Sequence, residues 1–314
     1  MDPLDEKHRL VFVGGLHKSG TTLLADLLSG HPSISGLSAM GVPKNEGQHT
    51  QDVLPTARAH GGPGKFAFDP AAHVTEVSPL ATSASARRLM DAWRPHWDLA
   101  RPVLLEKSPP NLIRTRFLQA LFPDASFVII LRHPIAVALA TQKWSRSTIG
   151  ELLHHWIVAH DILATDMAAL HRVQVVTYER LTADPQACLD GIHRFLELDS
   201  QRVTVVPDGG TNETYFRRWR GLIPIHRAVV RARYEAGVLP FGYSLSDLAL
   251  QPPVARPQRL PDSGASPLAG TAQVRTSNDG IGDPLRGTVA QPPALVPGPD
   301  RGKHEAAHEP RIIG

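Results

Sequence analysis

Residues 11–24, VFVGGLHKSGTTLL, join a short apolar run to an amphipathic pattern through a turn that contains three glycines. The run Leu10–Val13 predicts a buried strand, and Thr21–Ser29 predicts a helix with leucines on one face. Glycine allows the tight turn between them, where free backbone N–H groups and the helix dipole favour a bound phosphate. This succession of strand, turn and helix restricts the chain to folds that contain an α/β unit, and it predicts an anion site at the first turn.

Strands and helices continue to alternate after this first unit. Three further apolar runs predict strands: Val103–Leu105, Phe127–Leu131 and Val173–Val176. Helical patterns follow them, one with Leu112, Ile113, Phe117, Leu118 and Leu121 in register and three over Ala136–Trp144, Ile149–Leu170 and Gln186–Leu196. Strands that are separated by helices pair in parallel, with helices on both faces of the sheet. We therefore expect a doubly wound, three-layer α/β domain with a central, mostly parallel sheet flanked by helices.

The C-terminal part of the chain has a different composition. From Gln251 to Gly314 it holds 11 Pro and 8 Gly among 64 residues, and it has no Phe, Trp or Tyr. Such a segment buries too little apolar surface to offset the entropy that is lost on ordering. The expected division is a folded domain over residues 8–248 and a Pro/Gly-rich disordered tail over residues 249–314.

Charge and cysteine content exclude several classes of protein. Lys and Arg number 33 against 30 Asp and Glu, and a net charge of +3 over 314 residues predicts no nucleic-acid partner. The single cysteine allows no intrachain disulfide. No apolar run is long enough to span a membrane, and residues 1–10 lack the pattern of a signal peptide. We therefore expect a cytoplasmic protein without a transmembrane segment; its oligomeric state has no signal in the sequence.

The glycine turn matches only part of the pattern found in nucleoside triphosphate-binding proteins. In GxxxxGK[ST], Gly15 and Gly20 fit, but Thr21 holds the lysine position and the lysine lies at Lys18. Taken alone, the turn suits a small-molecule kinase that uses ATP and Mg²⁺, or a structural turn with a surface lysine. A kinase also needs an aspartate for Mg²⁺ at the end of a strand, and Arg132 is found there instead.

The turn resembles that of the sulfotransferases that use 3′-phosphoadenosine 5′-phosphosulfate (PAPS), whose loop reads like KSGTT. The resemblance implies a P-loop-like fold, PAPS as the co-substrate and no metal. It implies in-line transfer of a sulfuryl group from PAPS to a hydroxyl or amine of an acceptor, and an approach of the loop lysine to the leaving phosphate oxygen. The residues that would hold the 5′-phosphate are Lys18, Ser19, Gly20, Thr21 and Thr22.

A second segment, FVIILRHPIAVALATQKW, resembles the part of these enzymes that binds the 3′-phosphate. Arg132 follows its strand and offers a planar guanidinium for bidentate hydrogen bonds, while a cap for the strand end is its alternative role. The family commonly has a serine eight residues later. That position is Ala140 here, and Thr141 is the nearest hydroxyl.

The predicted strand ends give the candidate residues a common location. Lys18, Lys107, Arg132 and Tyr178 each follow a predicted strand. In an open parallel sheet those ends border the ligand crevice, so we expect the four side chains to converge. Lys107, in LLEKSPPN, resembles the family lysine that faces the sulfuryl group, and an ion pair with Glu106 is the alternative. Tyr178 resembles a tyrosine near the nucleotide, with a core tyrosine as the alternative.

Sulfuryl transfer also needs a base that takes the proton of the acceptor. The histidine that cytosolic sulfotransferases carry just beyond this lysine is absent, because Ser108 and two prolines follow. The segment GVPKNEGQHTQDVLP resembles the base region of tyrosylprotein and some carbohydrate sulfotransferases. We predict Glu46 as the base and His49 as the second choice, with a solvated loop charge as the alternative. Three histidines of the long helix lack a carboxylate at metal spacing, so we predict no metal site there: His154, His155 and His160.

The acceptor is left open by the sequence. Residues 57–82 and 214–238 are expected as variable loops that form its pocket, and their composition allows a small molecule, a sugar, a lipid or a peptide. The stretch 211–219, TNETYFRRW, resembles the basic aromatic segment that closes over the nucleotide, with Arg217 and Arg218 as candidate ligands. A scaffold protein that binds nucleotide without catalysis is a further alternative.

Overall fold

The structure, a computed structural model, describes residues 7–204, 210–252 and 258–259. Most of the predicted C-terminal tail, residues 253–257 and 260–314, lies outside the described residues, so its disorder stays a prediction. Among the described residues, no helix combines the length and apolar character that a membrane span requires.

A six-stranded sheet forms the centre of the domain. Its strands lie in the order β2-β3-β1-β4-β5-β6, and the first five pair in parallel while β6 pairs antiparallel with β5. The strands are β1 (Arg9–Gly14), β2 (Ile34–Gly36), β3 (Val103–Lys107), β4 (Ser126–Leu131), β5 (Arg172–Thr177) and β6 (Gln258–Arg259). The predicted fold class, a mostly parallel P-loop-like sheet, is confirmed.

Helices cover both faces of this sheet. They are α1 (Thr21–Ser29), α2 (Ser83–Trp93), α3 (Thr115–Leu121), α4 (Pro134–Thr141), α5 (Ile149–Asp166), α6 (Tyr178–Ala183), α7 (Pro185–Phe195), α8 (Thr211–Arg220) and α9 (Pro224–Val238). Successive strand side chains point to opposite faces, which creates two apolar cores. Val11 and Val13 of β1 pack with α1 and α7, whereas Phe12 packs with α2, α3 and α5 in the larger core. The domain therefore has three layers.

Several element boundaries differ from the prediction. Helix α4 begins at Pro134, two residues early, because the His133 side chain accepts a hydrogen bond from the N–H of Ile135 at 3.2 Å and proline suits the first helical position. It ends at Thr141, so Trp144 lies beyond it. The predicted loop over 214–238 is wrong, since α8 and α9 occupy it. Residues 57–82 do form irregular chain with short 3₁₀ turns.

Candidate functional site

The turn after β1 contains residues with left-handed backbone. Gly15, Lys18 and Gly20 have φ angles of 155°, 71° and 103°. A Cβ atom at Gly20 would lie 2.7 Å from Cδ2 of Tyr178, so only glycine fits there without a displacement. Ser19 is fully buried, and its hydroxyl oxygen has no hydrogen-bond partner among the described residues. The turn therefore offers a buried hydroxyl next to the N-terminal N–H groups of α1, which have no acceptor within the helix.

Arg132, directly after β4, presents a guanidinium that is buried and held in place. Its Nε donates to Oδ1 of Asn212 at 2.8 Å, and its Nη1 donates to the carbonyl oxygen of Lys18 at 2.9 Å. The ring of Tyr178 covers it, with the ring centroid 3.9 Å from Cζ. Burial lowers the pKa of Arg132, but a guanidinium stays charged in proteins. Its Nη2 is buried and has no hydrogen-bond partner among the described residues.

Lys18 connects the two predicted anion sites. Its backbone carbonyl accepts the hydrogen bond from Arg132, so the glycine turn and the end of β4 are in direct contact. Its Nζ lies 3.0 Å from the centroid of the Trp144 ring. Partial burial lowers the pKa of Lys18, and the nearby charges of Lys44, Lys143 and Arg132 lower it further. Positive charge thus accumulates around the turn.

Lys107, the last residue of β3, ends beside the same turn. Its buried Nζ donates to Oγ1 of Thr22 at 3.3 Å, to the carbonyl oxygen of Lys44 at 2.9 Å and to Oε1 of Glu46 at 3.3 Å. The alternative ion pair with Glu106 is not formed, because neighbouring strand residues point to opposite faces of the sheet. Lys107 instead joins the predicted base to Thr22, at the start of α1 directly after the glycine turn.

Glu106 holds the loop that carries this base. Its buried carboxylate accepts hydrogen bonds from the N–H of Gly47 at 3.1 Å, from Oγ of Ser108 at 2.6 Å and from Nδ2 of Asn111 at 2.5 Å. Burial raises the pKa of Glu106. The Nε1 of Trp93 donates to the carbonyl oxygen of Gly47 at 3.1 Å. The backbone next to Glu46 is therefore fixed from both sides.

Glu46 itself is buried and close to His49. Its Oε2 accepts a hydrogen bond from Nε2 of Gln48 at 2.6 Å and lies 3.6 Å from Nε2 of His49. The imidazole of His49 is more exposed than the carboxylate. Of the two predicted bases, the structure thus places the carboxylate in contact with Lys107 and the imidazole on the solvent side of it.

His17, in the glycine turn, is a site residue that the sequence analysis missed. Burial lowers its pKa to about 4, and the charges of Glu46, Lys107, Lys18 and His49 act on it. Its Nδ1 is buried without a partner among the described residues. Its position next to Lys18 in the sequence is the signal that could have identified it as part of the site.

A small polar cavity opens beside Lys107. It has a volume of about 40 Å³ and is lined by Ala25, Asp26, Ser29, Gly36, Leu37, Lys44, Asn45, Leu105 and Lys107. Lys44 and Asn45 have φ angles of 56° and 47°, which are uncommon for residues other than glycine. Partial burial raises the pKa of Asp26, while the charges of Lys107 and Lys44 oppose that shift. The left-handed pair turns the Lys44 carbonyl towards Lys107 and leaves the Lys44 side chain exposed.

The remaining predicted ligands form no described hydrogen bond with Lys18, Lys107, Arg132 or Glu46. Thr141 is buried and lines a separate, mostly apolar cavity of about 10 Å³ with His17 and His155, so its role at the 3′-phosphate stays a prediction. Arg218 bonds the carbonyl oxygen of Leu139 and the side chain of Gln142 at the end of α4, and Arg217 is exposed. Within residues 7–204 and 210–252, no three His, Cys, Asp or Glu side chains are arranged to hold a metal ion.

The chain is similar in sequence to known sulfotransferases. A family model described as the sulfotransferase family matches residues 11–202. Protein-tyrosine sulfotransferase 2 of Gallus gallus is 26% identical over 199 residues, which cover 60% of this chain and 50% of that protein. Protein-tyrosine sulfotransferase 1 of Danio rerio is 26% identical over 203 residues, 60% of this chain and 53% of that protein. The chain spans about half the length of these curated relatives.

A sulfotransferase domain is also among the solved structures that this chain resembles. The sulfotransferase domain from the curacin biosynthetic pathway is 16% identical with a TM-score of 0.46, and the match covers 76% of this chain and 98% of that one.

Proposed function

Because this chain belongs to the sulfotransferase family, we propose that it transfers a sulfuryl group from PAPS to a hydroxyl or amine of an acceptor. The observation that carries the proposal is the hydrogen bond between Arg132 Nη1 and the Lys18 carbonyl. It links a glycine-lined turn and a fixed guanidinium, the two elements that a nucleotide with phosphates on both its 3′ and 5′ oxygens requires.

Two unpaired polar atoms support the fit of such a nucleotide. Nη2 of Arg132 and Oγ of Ser19 are both buried and lack partners among the described residues. Buried polar groups are normally hydrogen-bonded, so two orphaned atoms around one turn indicate a polar ligand. The ligand is expected to be negatively charged, because Lys18, Lys107 and Arg132 are positively charged. Among the ion pairs of the described residues, only that of Lys107 with Glu46 involves one of the three. A nucleotide with one phosphate at Ser19 and another at Arg132 satisfies both atoms and these charges.

Each residue has a task in this reaction. PAPS supplies the sulfuryl group on a phosphate leaving group. The turn residues Ser19 to Thr22 bind the 5′-phosphate, and Arg132 binds the 3′-phosphate through the nitrogen that remains free. Lys18 and Lys107 stabilise the negative charge that develops on the leaving oxygen. Lys107 Nζ already donates to Oγ1 of Thr22 at the start of α1, so its charge lies beside the proposed 5′-phosphate site before the reaction begins.

Glu46 takes the proton of the acceptor. Its Oε1 lies 3.3 Å from Lys107 Nζ, and Lys107 also contacts Thr22 of the phosphate turn. The carboxylate is therefore one side chain away from Thr22, on the side of the turn where a base must come within hydrogen-bond reach of the acceptor proton. His49, 3.6 Å from Glu46, is placed to accept the proton next or to orient the carboxylate.

The names of the relatives favour one class of acceptor. Two of them are protein-tyrosine sulfotransferases, which favours a peptide among the small-molecule, sugar, lipid and peptide acceptors that the sequence allows. The cytoplasmic location expected from the N-terminal sequence stays a prediction. A small-molecule kinase has no support in the family match, and Arg132 stands where the Mg²⁺ ligand would be needed.

Calorimetric titration with 3′,5′-bisphosphoadenosine and with AMP tests the proposal. The wild-type protein should bind the bisphosphate at least about tenfold more tightly, because a charge-assisted hydrogen bond to the 3′-phosphate contributes about 1.5–3 kcal/mol. Lys18→Ala and Arg132→Ala should weaken the bisphosphate strongly, while Arg87→Ala, a change of an exposed arginine on α2, should not. Equal affinity for the two nucleotides, or Mg²⁺-dependent turnover of ATP, would contradict the proposal.

A further inference from the structure

The guanidinium of Arg132 is oriented by a residue of the stretch 211–219 other than its two candidate arginines. Asn212, the second residue of α8, accepts the hydrogen bond from Arg132 Nε at 2.8 Å through its Oδ1. The other half of the same amide donates from Nδ2 to Oε1 of Glu179 at 2.7 Å. Asn212 is itself buried. One amide thus spans a buried cation and a buried carboxylate.

Glu179 is held as firmly as the arginine. Its Oε1 also accepts the N–H of His133 at 2.9 Å, and its Oε2 accepts the hydroxyl of Tyr243 at 2.9 Å. These donors come from the start of α4 and from the segment after α9, while Glu179 belongs to α6. The amide of Asn212 cannot rotate without the loss of at least one charge-assisted hydrogen bond. Its position is therefore defined by the rest of the network.

The three nitrogens of the Arg132 guanidinium differ in their contacts. Asn212 holds Nε, the Lys18 carbonyl holds Nη1, and Tyr178 covers one face of the plane. These contacts leave Nη2 as the nitrogen without a partner among the described residues, and they fix the direction in which it points. Without Asn212, the guanidinium could rotate about its side-chain torsions and satisfy Nε with water.

We infer that Asn212 is a positioning residue that makes Arg132 selective for a 3′-phosphate. Its amide orders the guanidinium before the nucleotide arrives, so that binding does not have to order it. The inference rests on the proposed function, because the 3′-phosphate is the ligand assigned to Arg132. It adds a role for α8: this helix contributes to nucleotide recognition through its first turn, whereas the sequence pattern pointed to the arginines near its end.

The test compares the preference for 3′,5′-bisphosphoadenosine over AMP in the wild type, in Asn212→Ala and in Asn212→Ser. Serine is too short to reach both Arg132 and Glu179, so it removes the bridge with a smaller change of polarity. Thr214→Ala, an exposed change on the same helix, is the matched control. Melting temperatures are recorded for each variant, and titrations are made well below the lowest of them.

Both Asn212 variants should lose at least about tenfold in affinity for the bisphosphate, whereas their affinity for AMP should stay within about twofold of the wild type. A merely structural role would lower the melting temperature and leave the ratio of the two affinities unchanged, and that result would overturn the inference while the proposed function stands. If the wild type itself shows no preference for the bisphosphate, the proposed function fails and the inference fails with it. The Thr214→Ala ratio should equal that of the wild type.

Discussion

Replacement of Gly20 by alanine should lower the free energy of unfolding for two reasons, a steric contact with the Tyr178 ring and a strained backbone conformation. Gly20 has a φ of 103°, and a Cβ atom there would lie 2.7 Å from Cδ2 of Tyr178 and 3.4 Å from Cδ1 of Ile130. Alanine in this conformation costs about 1 kcal/mol relative to glycine. Displacement of a buried ring adds about 1–3 kcal/mol. The free energy of unfolding of Gly20→Ala should therefore fall by about 2–4 kcal/mol.

Gly41→Ala provides the matched control for this experiment. Gly41 also has a left-handed φ, 66°, but a Cβ atom there would meet nothing within 4 Å. Its loss should be limited to the conformational part, about 1 kcal/mol. Since 1 kcal/mol shifts the melting temperature of a domain of this size by about 2–4 °C, Gly20→Ala should melt at least about 2 °C below Gly41→Ala.

The same variant should also change ligand binding. The Tyr178 ring covers the guanidinium of Arg132 at 3.9 Å, so its displacement disturbs the proposed 3′-phosphate site. We expect Gly20→Ala to bind 3′,5′-bisphosphoadenosine at least about tenfold more weakly, since one charge-assisted hydrogen bond is at stake, and Gly41→Ala to bind it normally. Calorimetric unfolding and titration measure the two effects. If Gly20→Ala melts with Gly41→Ala and binds like the wild type, the reasoning about this contact is wrong.

Three further predictions concern the base and the buried histidines. Glu46→Gln should lower the rate of sulfuryl transfer about 10²–10⁴-fold but keep the affinity for the bisphosphate within about twofold, because the role proposed for Glu46 is to take the proton of the acceptor. A rate within about threefold of the wild type would exclude it as the base. Gly47→Ala places a Cβ atom 2.6 Å from Oε1 of Glu106 and 2.7 Å from Nε1 of Trp93, so transfer should fall while nucleotide titration stays normal, and an unchanged rate would show that the loop need not be fixed. Burial lowers the pKa of His133 and His155 to about 3 and of His17 and His160 to about 4, from 6.5. Below pH 6.5 the unfolded chain therefore binds protons that the native protein does not, and the free energy of unfolding should fall by about 1.4 kcal/mol per histidine per pH unit, partly opposed by the raised pKa of Glu106. Urea unfolding at pH 7 and pH 5.5 checks this, and identical midpoints would contradict it.

Much of the fold was accessible from short-range patterns. Strands buried on both faces read as continuous apolar runs, and Phe127–Leu131 and Leu10–Val13 are such runs, so both were found to within a residue. The β2 strand has only three residues and no such signal. Helix α9 carries exposed apolar residues, Ile225 and Val229 among them, next to several arginines. Because apolar residues occur on its solvent side, its sequence lacks a clear amphipathic pattern.

The candidate site was accessible in part for a different reason. Lys18 and Arg132 stand out because a glycine turn and a strand end each define a local position for one side chain. Asn212 and Glu179 lie 33 residues apart, and each is an ordinary polar residue in its own segment. Only tertiary packing brings them to Arg132. The partner of Lys107 was missed likewise, since the adjacent Glu106 is close in sequence but Glu46 is close in space.

The hydrogen bond from Arg132 to the Lys18 carbonyl has a consequence for how ligand fragments should bind. We expect adenosine 3′-monophosphate to engage the arginine alone, and inorganic sulfate at the glycine turn to engage only the other side of that bond. Because one bond fixes both partners, occupancy by the first fragment should stiffen the turn and tighten the second, a positive coupling that a double titration would detect. An intact donor, which occupies both sites, would then bind more tightly than the separate affinities of the two fragments predict.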